Sequence, residues 1–211
     1  TGQSFTAVAI GSNAGAISQS VGAVAVGNNA GQTQQAGFAV SVGVNAGRGT
    51  QGTAAIAIGY FAGHTNQGTY AVAIGMNAGA LTQLSGAIAI GFESGITRQG
   101  TNSVAIGVSA GGISQGTNAI AIGATFSATQ GAPGFTSQGQ FGIAIGVAAG
   151  SLTQGSAAIA IGLQAGLTAQ ALNAVAIGVN AGSSGQGQVS VALGQAAGQF
   201  TQGTAATAIG T

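Results

Sequence analysis

Short segments along the chain alternate large and small apolar residues, and each segment ends at a glycine. In a typical segment, Val24 and Val26 flank Ala25, and Gly27 follows. An alternation of period two predicts a β-strand whose two sets of side chains point to opposite faces. Because β-branched residues fit the packed face of a sheet, the pattern predicts that the Val and Ile side chains point into the core and that the alanine side chains point outward.

The closing glycines define a repeat, since they recur every 16 residues apart from one interval of 23. They are Gly11, Gly27, Gly43, Gly59, Gly75, Gly91, Gly107, Gly123, Gly146, Gly162, Gly178, Gly194 and Gly210. A repeat this short cannot bury its own apolar side and must stack on its neighbours. The fold class that we predict is therefore an all-β parallel β-solenoid (β-roll) of thirteen 16-residue coils. It forms one domain over residues 1–211, with a seven-residue insertion in a loop within residues 124–140.

Two further positions of the repeat recur in nearly every copy. A second glycine follows the first after four residues, as Gly79 follows Gly75, and a glutamine such as Gln83 stands eight residues after the first. The glycines predict tight corners, where the backbone adopts conformations that a Cβ would hinder. Glutamines stacked in register can form a ladder of side-chain hydrogen bonds, and asparagines such as Asn13 and Asn29 can do the same at a turn.

The segments around three of the closing glycines carry a resemblance to a known family. Residues 102–107, 118–123 and 173–178 have the sequences NSVAIG, NAIAIG and NAVAIG. They resemble the head repeats of YadA-type trimeric autotransporter adhesins, which form a left-handed parallel β-roll, and they are also similar to repeats in phage and giant-virus fibre proteins. The resemblance covers nearly the whole chain. It implies an adhesive or fibrous role, a trimer, and a place outside the cell, on its surface or on a virion surface.

Charged side chains are almost absent from the chain. Arg48, Glu93 and Arg98 are the only ones, and the formal net charge is +1, whereas ordinary soluble domains contain roughly 25% charged residues. There is no basic patch that could neutralise phosphates or anionic lipid headgroups. The apolar runs are far shorter than the roughly 20 residues of a membrane-spanning helix. We therefore expect no nucleic-acid partner and no membrane-spanning segment.

The inventory of reactive side chains argues against catalysis. The chain has one His, one Glu and two Tyr, and it has no Asp, Cys or Lys, so no catalytic triad or carboxylate pair can be assembled. We predict that the protein is not an enzyme and that it has no catalytic residue, cofactor or metal site. His64 is predicted to be an exposed turn residue.

The outward side of the solenoid is expected to serve assembly. If the alanines point outward, they form a smooth apolar strip on the order of 600 Å², which is large for a monomer. The candidate assembly face consists of Ala9, Ala25, Ala57, Ala73, Ala89, Ala105 and Ala121. Gln3 and Ile209 follow the repeat pattern as regularly as any copy, and solenoids that remain monomeric usually have atypical terminal coils. We therefore expect a structural fibre subunit whose partner is itself, assembled by head-to-tail stacking of uncapped ends, by lateral packing of alanine-rich faces, or by both.

Two other functions remain open from the sequence. An adhesin or receptor-binding head, which would be trimeric, could bind a host surface or matrix ligand through residues on the rigid scaffold. Its candidate recognition loop consists of Phe126, Pro133, Phe135 and Phe141, and outward residues such as Tyr60 and Tyr70 could add to it. An ice-binding solenoid would instead need a flat, regular array, which the alanine columns and a broken threonine column partly provide. The threonines in question are Thr53, Thr69, Thr101 and Thr117.

Overall fold

The chain folds into thirteen turns of a parallel β-solenoid. The structure, a computed structural model, describes residues 2–124 and 132–210, and these residues form short β-strands with no helix among them. The turns are about 16 residues apart, so the predicted all-β parallel β-solenoid is confirmed. Contacts group the chain into two compact units, Thr1–Asn102 and Ser103–Thr211, and each is described by itself.

Unit 1 contains strands of two alternating kinds. The odd-numbered strands all end in a glutamine and form the glutamine sheet: β1 (Gly2–Gln3), β3 (Ser18–Gln19), β5 (Gln34–Gln35), β7 (Thr50–Gln51), β9 (Asn66–Gln67), β11 (Thr82–Gln83) and β13 (Arg98–Gln99). The even-numbered strands form the aliphatic sheet: β2 (Val8–Ile10), β4 (Val24–Val26), β6 (Val40–Val42), β8 (Ile56–Ile58), β10 (Val72–Ile74) and β12 (Ile88–Ile90). Equivalent residues pair in parallel register, as Ala73 does with Ala89 and Gln67 with Gln83.

Unit 2 repeats the same arrangement. Its aliphatic strands are β14 (Val104–Ile106), β16 (Ile120–Ile122), β18 (Ile143–Ile145), β20 (Ile159–Ile161), β22 (Val175–Ile177), β24 (Val191–Leu193) and β26 (Thr207–Ile209). Its glutamine strands are β15 (Ser114–Gln115), β17 (Ser137–Gln138), β19 (Thr153–Gln154), β21 (Ala169–Gln170), β23 (Ser184–Gln186) and β25 (Phe200–Gln202).

The seven-residue insertion leaves the register of unit 2 unchanged. Ile120 pairs with Ile143, although they are 23 positions apart. The amide of Gly111 donates to the carbonyl of Pro133 at 3.0 Å, just as the amide of Gly150 donates to that of Ala165 at 2.9 Å. Pro133 therefore occupies the position of an ordinary repeat residue, and the extra residues lie between Gly123 and Pro133, within the predicted loop.

The core of the solenoid is built from alanine, and the predicted orientation of the strands was wrong. Ala25, Ala57, Ala73, Ala89, Ala105 and Ala121, which were expected to point outward, are all 0% exposed. Only Ala9, in the first coil, is exposed. The Val and Ile residues on either side of these alanines are half-buried or exposed and form the outer surface of the aliphatic sheet.

Glutamine side chains explain why only small residues fit inside. The Nε2 of Gln67 on β9 donates to the carbonyl of Ile56 on β8 at 2.6 Å and to that of Ala71 at 3.2 Å. One glutamine side chain thus spans the core from the glutamine sheet to the backbone of the aliphatic sheet. At this sheet separation, interior close packing leaves room for an alanine such as Ala57 or Ala73 but not for an isoleucine.

Two glycines in each coil allow this close stacking, as the sequence predicts. Gly75 has φ +126°, and a Cβ there would come within 2.6 Å of the carbonyl oxygen of Gly91 in the next coil. Gly79 has φ +53°, and a Cβ there would come within 2.8 Å of Gln83 Oε1. Any side chain at either position would therefore push apart two coils or displace a core glutamine.

The predicted amide ladders form along part of the chain. Nε2 of Gln51 donates to Oε1 of Gln67 at 3.1 Å, and Gln67 donates to Gln83 in the same way at 3.2 Å. In the asparagine ladder, Nδ2 of Asn13 donates to Oδ1 of Asn29 at 3.2 Å, and Nδ2 of Asn29 donates to Oδ1 of Asn45 at 3.1 Å. In other coils the glutamine Oε1 is buried without a partner: Gln19, Gln35, Gln115, Gln138, Gln154, Gln186 and Gln202. The ladder is thus continuous only over part of each unit.

Candidate assembly surface

The aliphatic sheet presents two columns of Val and Ile side chains to the outside of each unit. In unit 1 the first residues of the strands form one column: Val8, Val24, Val40, Ile56, Val72 and Ile88. The last residues form the other: Ile10, Val26, Val42, Ile58, Ile74 and Ile90. In unit 2 they are Val104, Ile120, Ile143, Ile159, Val175, Val191 and Thr207, and Ile106, Ile122, Ile145, Ile161, Ile177, Leu193 and Ile209. We call this surface the aliphatic face. Its only polar member is Thr207.

The aliphatic face follows from the same contacts that build the core. The middle residue of each aliphatic strand is held inward against the glutamines, so the residues on either side of it must point outward. Neighbouring coils cover the flanks of each side chain, which leaves its tip free, and Ile58 remains 39% exposed. The result is a row of β-branched tips at the strand spacing of about 4.8 Å.

A third apolar column borders the aliphatic face where the chain leaves each aliphatic strand. In unit 1 it consists of Val44, Tyr60, Met76 and Phe92, and all four are exposed. In unit 2 Val108, Leu163 and Val179 occupy the equivalent position and are also exposed. The apolar surface is therefore wider than the strands alone.

The outer face of the glutamine sheet has the opposite character. The residue before each core glutamine points outward, and in unit 1 these residues are Ser18, Gln34, Thr50, Asn66, Thr82 and Arg98. An open groove of about 340 Å³ runs beside this column and is lined by Ser18, Ser20, Gln34, Gln35, Ala36, Thr50, Gln51, Gly52, Thr53 and Thr69. We call it the polar groove. In unit 1 the outward column of this sheet therefore consists of polar side chains, most of which carry hydroxyl or amide groups.

Charge plays little part on either face. Arg48 Nε donates to Gln32 Oε1 at 2.9 Å, and Glu93 and Arg98 form no ion pair within the described residues. His64 is half-buried rather than exposed, with its ring 4.6 Å from that of Phe61. Burial, and after it the positive charge of Arg48, lower the pKa of His64 below its usual 6.5. The imidazole is therefore neutral at physiological pH.

The structure does not gather the predicted recognition loop into one site. Phe126 lies outside the described residues. Pro133 is buried in a turn. Phe135 is half-buried, in the coil that stacks on Gly112. Phe141 is exposed, but it lies on a different, regular turn that follows the glutamine strand β17.

Sequence reasoning missed the aliphatic face because an alternation of period two does not say which of the two sets is buried. The glutamine column could have decided it. A long polar side chain that recurs in every coil needs buried partners, and two glycines in each coil imply tight stacking. Together they indicate a core too narrow for Ile58 or Ile74.

Comparison with known proteins returned nothing: no family model, no curated protein and no solved structure matches this chain. Within residues 2–124 and 132–210, no cluster of His, Cys, Asp or Glu is suited to hold a metal ion. The same residues include no helix with the length and hydrophobicity needed to cross a membrane.

Proposed function

We propose that this protein is a structural subunit of an extracellular or surface fibre, and that its copies associate side by side through the aliphatic face. The exposed aliphatic face carries the proposal. A strand of three residues is about 10 Å long, and six coils rise about 29 Å, so each unit contributes roughly 300 Å² of nearly pure hydrocarbon surface. A contiguous apolar patch of about 300 Å² is in the range of the largest patches on monomers, which are often functional, and each unit carries one.

A second copy of the same chain is the partner that fits this surface. Two aliphatic faces have the same row spacing, so the tips of one can settle between the rows of the other, as in dry interfaces between sheets. Each unit that pairs with a unit of a second chain would bury about 600 Å² in total, and two such contacts would bury about 1,200 Å², which is within the range of stable interfaces. No charged side chain belongs to the face, so no charge is desolvated when it closes.

The alanine-rich faces predicted from the sequence cannot contribute to contacts between chains, because Ala25, Ala57 and the equivalent residues are buried. Head-to-tail stacking of the coils stays a prediction, and the lateral contact does not require it. The ice-binding alternative loses its alanine columns for the same reason.

A trimeric adhesin head is the second candidate. The resemblance of residues 102–107 to adhesin head repeats favours it, and so do the aromatic side chains exposed at the turns. Three chains could share one aliphatic interior as readily as two, so the number of chains in the assembly distinguishes the candidates.

The test uses one lysine on each outer face. Ile58→Lys places a charge in the aliphatic face, and Asn66→Lys places the same charge on the glutamine sheet, eight residues further along. We expect the native chain and Asn66→Lys to assemble, as seen by sedimentation velocity at micromolar concentrations, and Ile58→Lys to remain monomeric. Electron microscopy then separates filaments from discrete trimers. A native chain that sediments as a monomer at every concentration would contradict both candidates.

A further inference from the structure

One turn of unit 1 carries exposed aromatic residues in an ordered pattern. This turn leads from each glutamine strand to the next aliphatic strand. In five successive coils its left-handed position is occupied by small and aromatic residues in alternation: Gly22, Phe38, Ala54, Tyr70 and Gly86. The side chain of Phe38 is 65% exposed and that of Tyr70 is 66% exposed.

Nothing in the fold requires aromatic residues at this turn. Phe38 has φ +62° and Tyr70 has φ +60°, a backbone conformation that is unfavourable for bulky residues and that asparagine tolerates well. Asn102, at the end of the same unit, adopts it with φ +54°. Aromatic rings that are both strained and exposed are disadvantageous for folding and solubility, and such strain is concentrated at functional sites.

The small residues on either side give each ring room to lie along the surface. The ring of Phe38 rests on Gly22 of the preceding coil, where a Cβ would come within 2.9 Å of its Cδ1. Ala54 holds the same place before Tyr70. The two rings are therefore two coils apart, or about 9.6 Å, with only a methyl group between them.

Hydrogen-bonding groups without charge line the polar groove, and two of its lining residues, Thr53 and Thr69, belong to this turn. Thr53 and Thr69 immediately precede Ala54 and Tyr70, and they line the polar groove together with Gln34 and Thr50. The amide of Tyr70 donates to the carbonyl of Thr53 at 2.9 Å, which holds this turn against the equivalent turn of the preceding coil. No Lys, Arg, Asp or Glu lines the groove, so it offers nothing to attract phosphate, sulfate or uronate groups.

From this combination we infer that the turn and the polar groove form a binding site for a neutral β-1,4-linked polysaccharide. Hexose rings have an apolar face that stacks on aromatic side chains and a hydroxyl edge that hydrogen-bonds to hydroxyls and amides. In an extended β-1,4-linked chain each hexose advances by nearly one coil height. Alternate hexoses then stack on Phe38 and Tyr70, the hexose between them passes over Ala54, and the hydroxyl edge faces Thr53 and Thr69.

Unit 2 supplies a matched control for this site. Phe141 occupies the same turn position with φ +59° and is 57% exposed. The residues at this position in the neighbouring coils are Asn118, Ala157 and Asn173, so Phe141 has no aromatic partner two coils away. Phe141 thus has the same backbone conformation and exposure as Phe38, but it lacks a second aromatic ring two coils away.

The experiment is calorimetric titration of the native chain with cellohexaose and with chitohexaose, which separate glucose from N-acetylglucosamine as the sugar recognised. The variants are Phe38→Asn, Tyr70→Asn and Phe141→Asn, each of which puts a favoured residue into a left-handed turn and should fold at least as stably as the native chain, as a thermal melt will show. We expect at least one of the two hexaoses to bind. Each of the first two changes should weaken that binding about 3-fold to 10-fold, the range of single aromatic contacts, and Phe141→Asn should leave it unchanged.

Three results would overturn the inference. They are no binding of either hexaose, equal binding of the curved α-1,4-linked maltohexaose, and a loss in Phe141→Asn as large as that in Phe38→Asn. The site lies on a turn outside the aliphatic face. The monomeric Ile58→Lys variant should therefore retain the binding, and failure of the assembly proposal would not remove it.

Discussion

The outer faces of the two sheets come from the same repeat but have opposite chemistry. The aliphatic face shows two columns of Val and Ile, whereas the glutamine sheet shows serine, threonine and amide side chains such as Ser18 and Thr50. Both sheets share one core, which consists of alanine methyl groups and glutamine carboxamides. The molecule is therefore least polar on part of its outside, and it keeps long polar groups within.

This inversion shows that the separation of the sheets, rather than the hydropathy of a residue, decides which residues are buried. A glutamine such as Gln67 is buried because it reaches backbone carbonyls on the opposite sheet. An isoleucine such as Ile58 remains outside because the core has no room for it. A large apolar residue that is excluded from the core of its own chain then becomes available to another chain.

Exchanging large and small residues within a single strand should have the largest effect. Ala73→Ile puts a large side chain into the closed core, and such overpacking is expected to lower the free energy of unfolding by about 3 kcal/mol. Ile74→Ala shortens an outward side chain beside it and is expected to cost only about 0.5 kcal/mol. Urea denaturation, at protein concentrations too low for assembly, measures both.

Equal losses in Ala73→Ile and Ile74→Ala would show that the interior adapts to a larger residue, and the contrast between inside and outside would fail. If Ile74→Ala were the more destabilising change, the aliphatic face would belong to the core after all.

The next largest effect should come from the core glutamines. Gln67→Met keeps the length of the side chain but removes the donor to the carbonyls of Ile56 and Ala71. Leaving such buried acceptors without a partner is expected to cost about 2 kcal/mol. Gln34→Met, on the exposed face of the same sheet, serves as the control and should change stability by less than about 0.5 kcal/mol. Both values come from urea denaturation, and a Gln67→Met variant as stable as the control would show that the core amides are dispensable.

The repeat itself could be predicted from the sequence, because glycine spacing and alternating side chains depend only on local geometry. The corners at Gly75 and Gly79 and the amide ladders followed from the same regularity. The inward or outward choice could not be read from Val24, Ala25 and Val26, since it depends on how close the facing sheet lies. That distance is set by contacts between residues of different strands, such as the bond from Gln67 to Ile56.

The candidate surfaces were predicted less well than the fold. The alanine face was assigned from the wrong orientation, and the recognition loop was assigned from closeness in sequence between Phe126 and Phe141. Closeness in space follows the 16-residue stacking instead. Phe38 and Tyr70 lie on neighbouring parts of one surface because they differ by two repeats, a relation that becomes visible only when the residues are arranged by coil.

The smallest effect that we expect is a change of folding stability with pH. It arises from His64, the one histidine of a chain whose two outer faces carry almost no charge. His64 lies at a turn, beside Phe61, and burial together with Arg48 lowers its pKa in the folded chain below the usual 6.5. The unfolded chain therefore takes up a proton first as the pH falls. The stability contributed by the neutral imidazole is fully present above pH 6.5. It decreases as the pH falls from there to the lower pKa of the folded state, and it is then constant.

Proton NMR titration should give a His64 pKa below 6.5, and Arg48→Gln should raise it, because it removes the positive charge nearby. Thermal melts between neutral and mildly acid pH should show a small loss of stability in the native chain and less in His64→Gln, in which the residue matches Gln32 of an earlier coil. A pKa at or above 6.5 would contradict the assignment. An equal loss of stability in His64→Gln would also contradict it. The loss would then come from a group other than His64, and protonation at the turn beside Phe61 would not explain the sensitivity to acid.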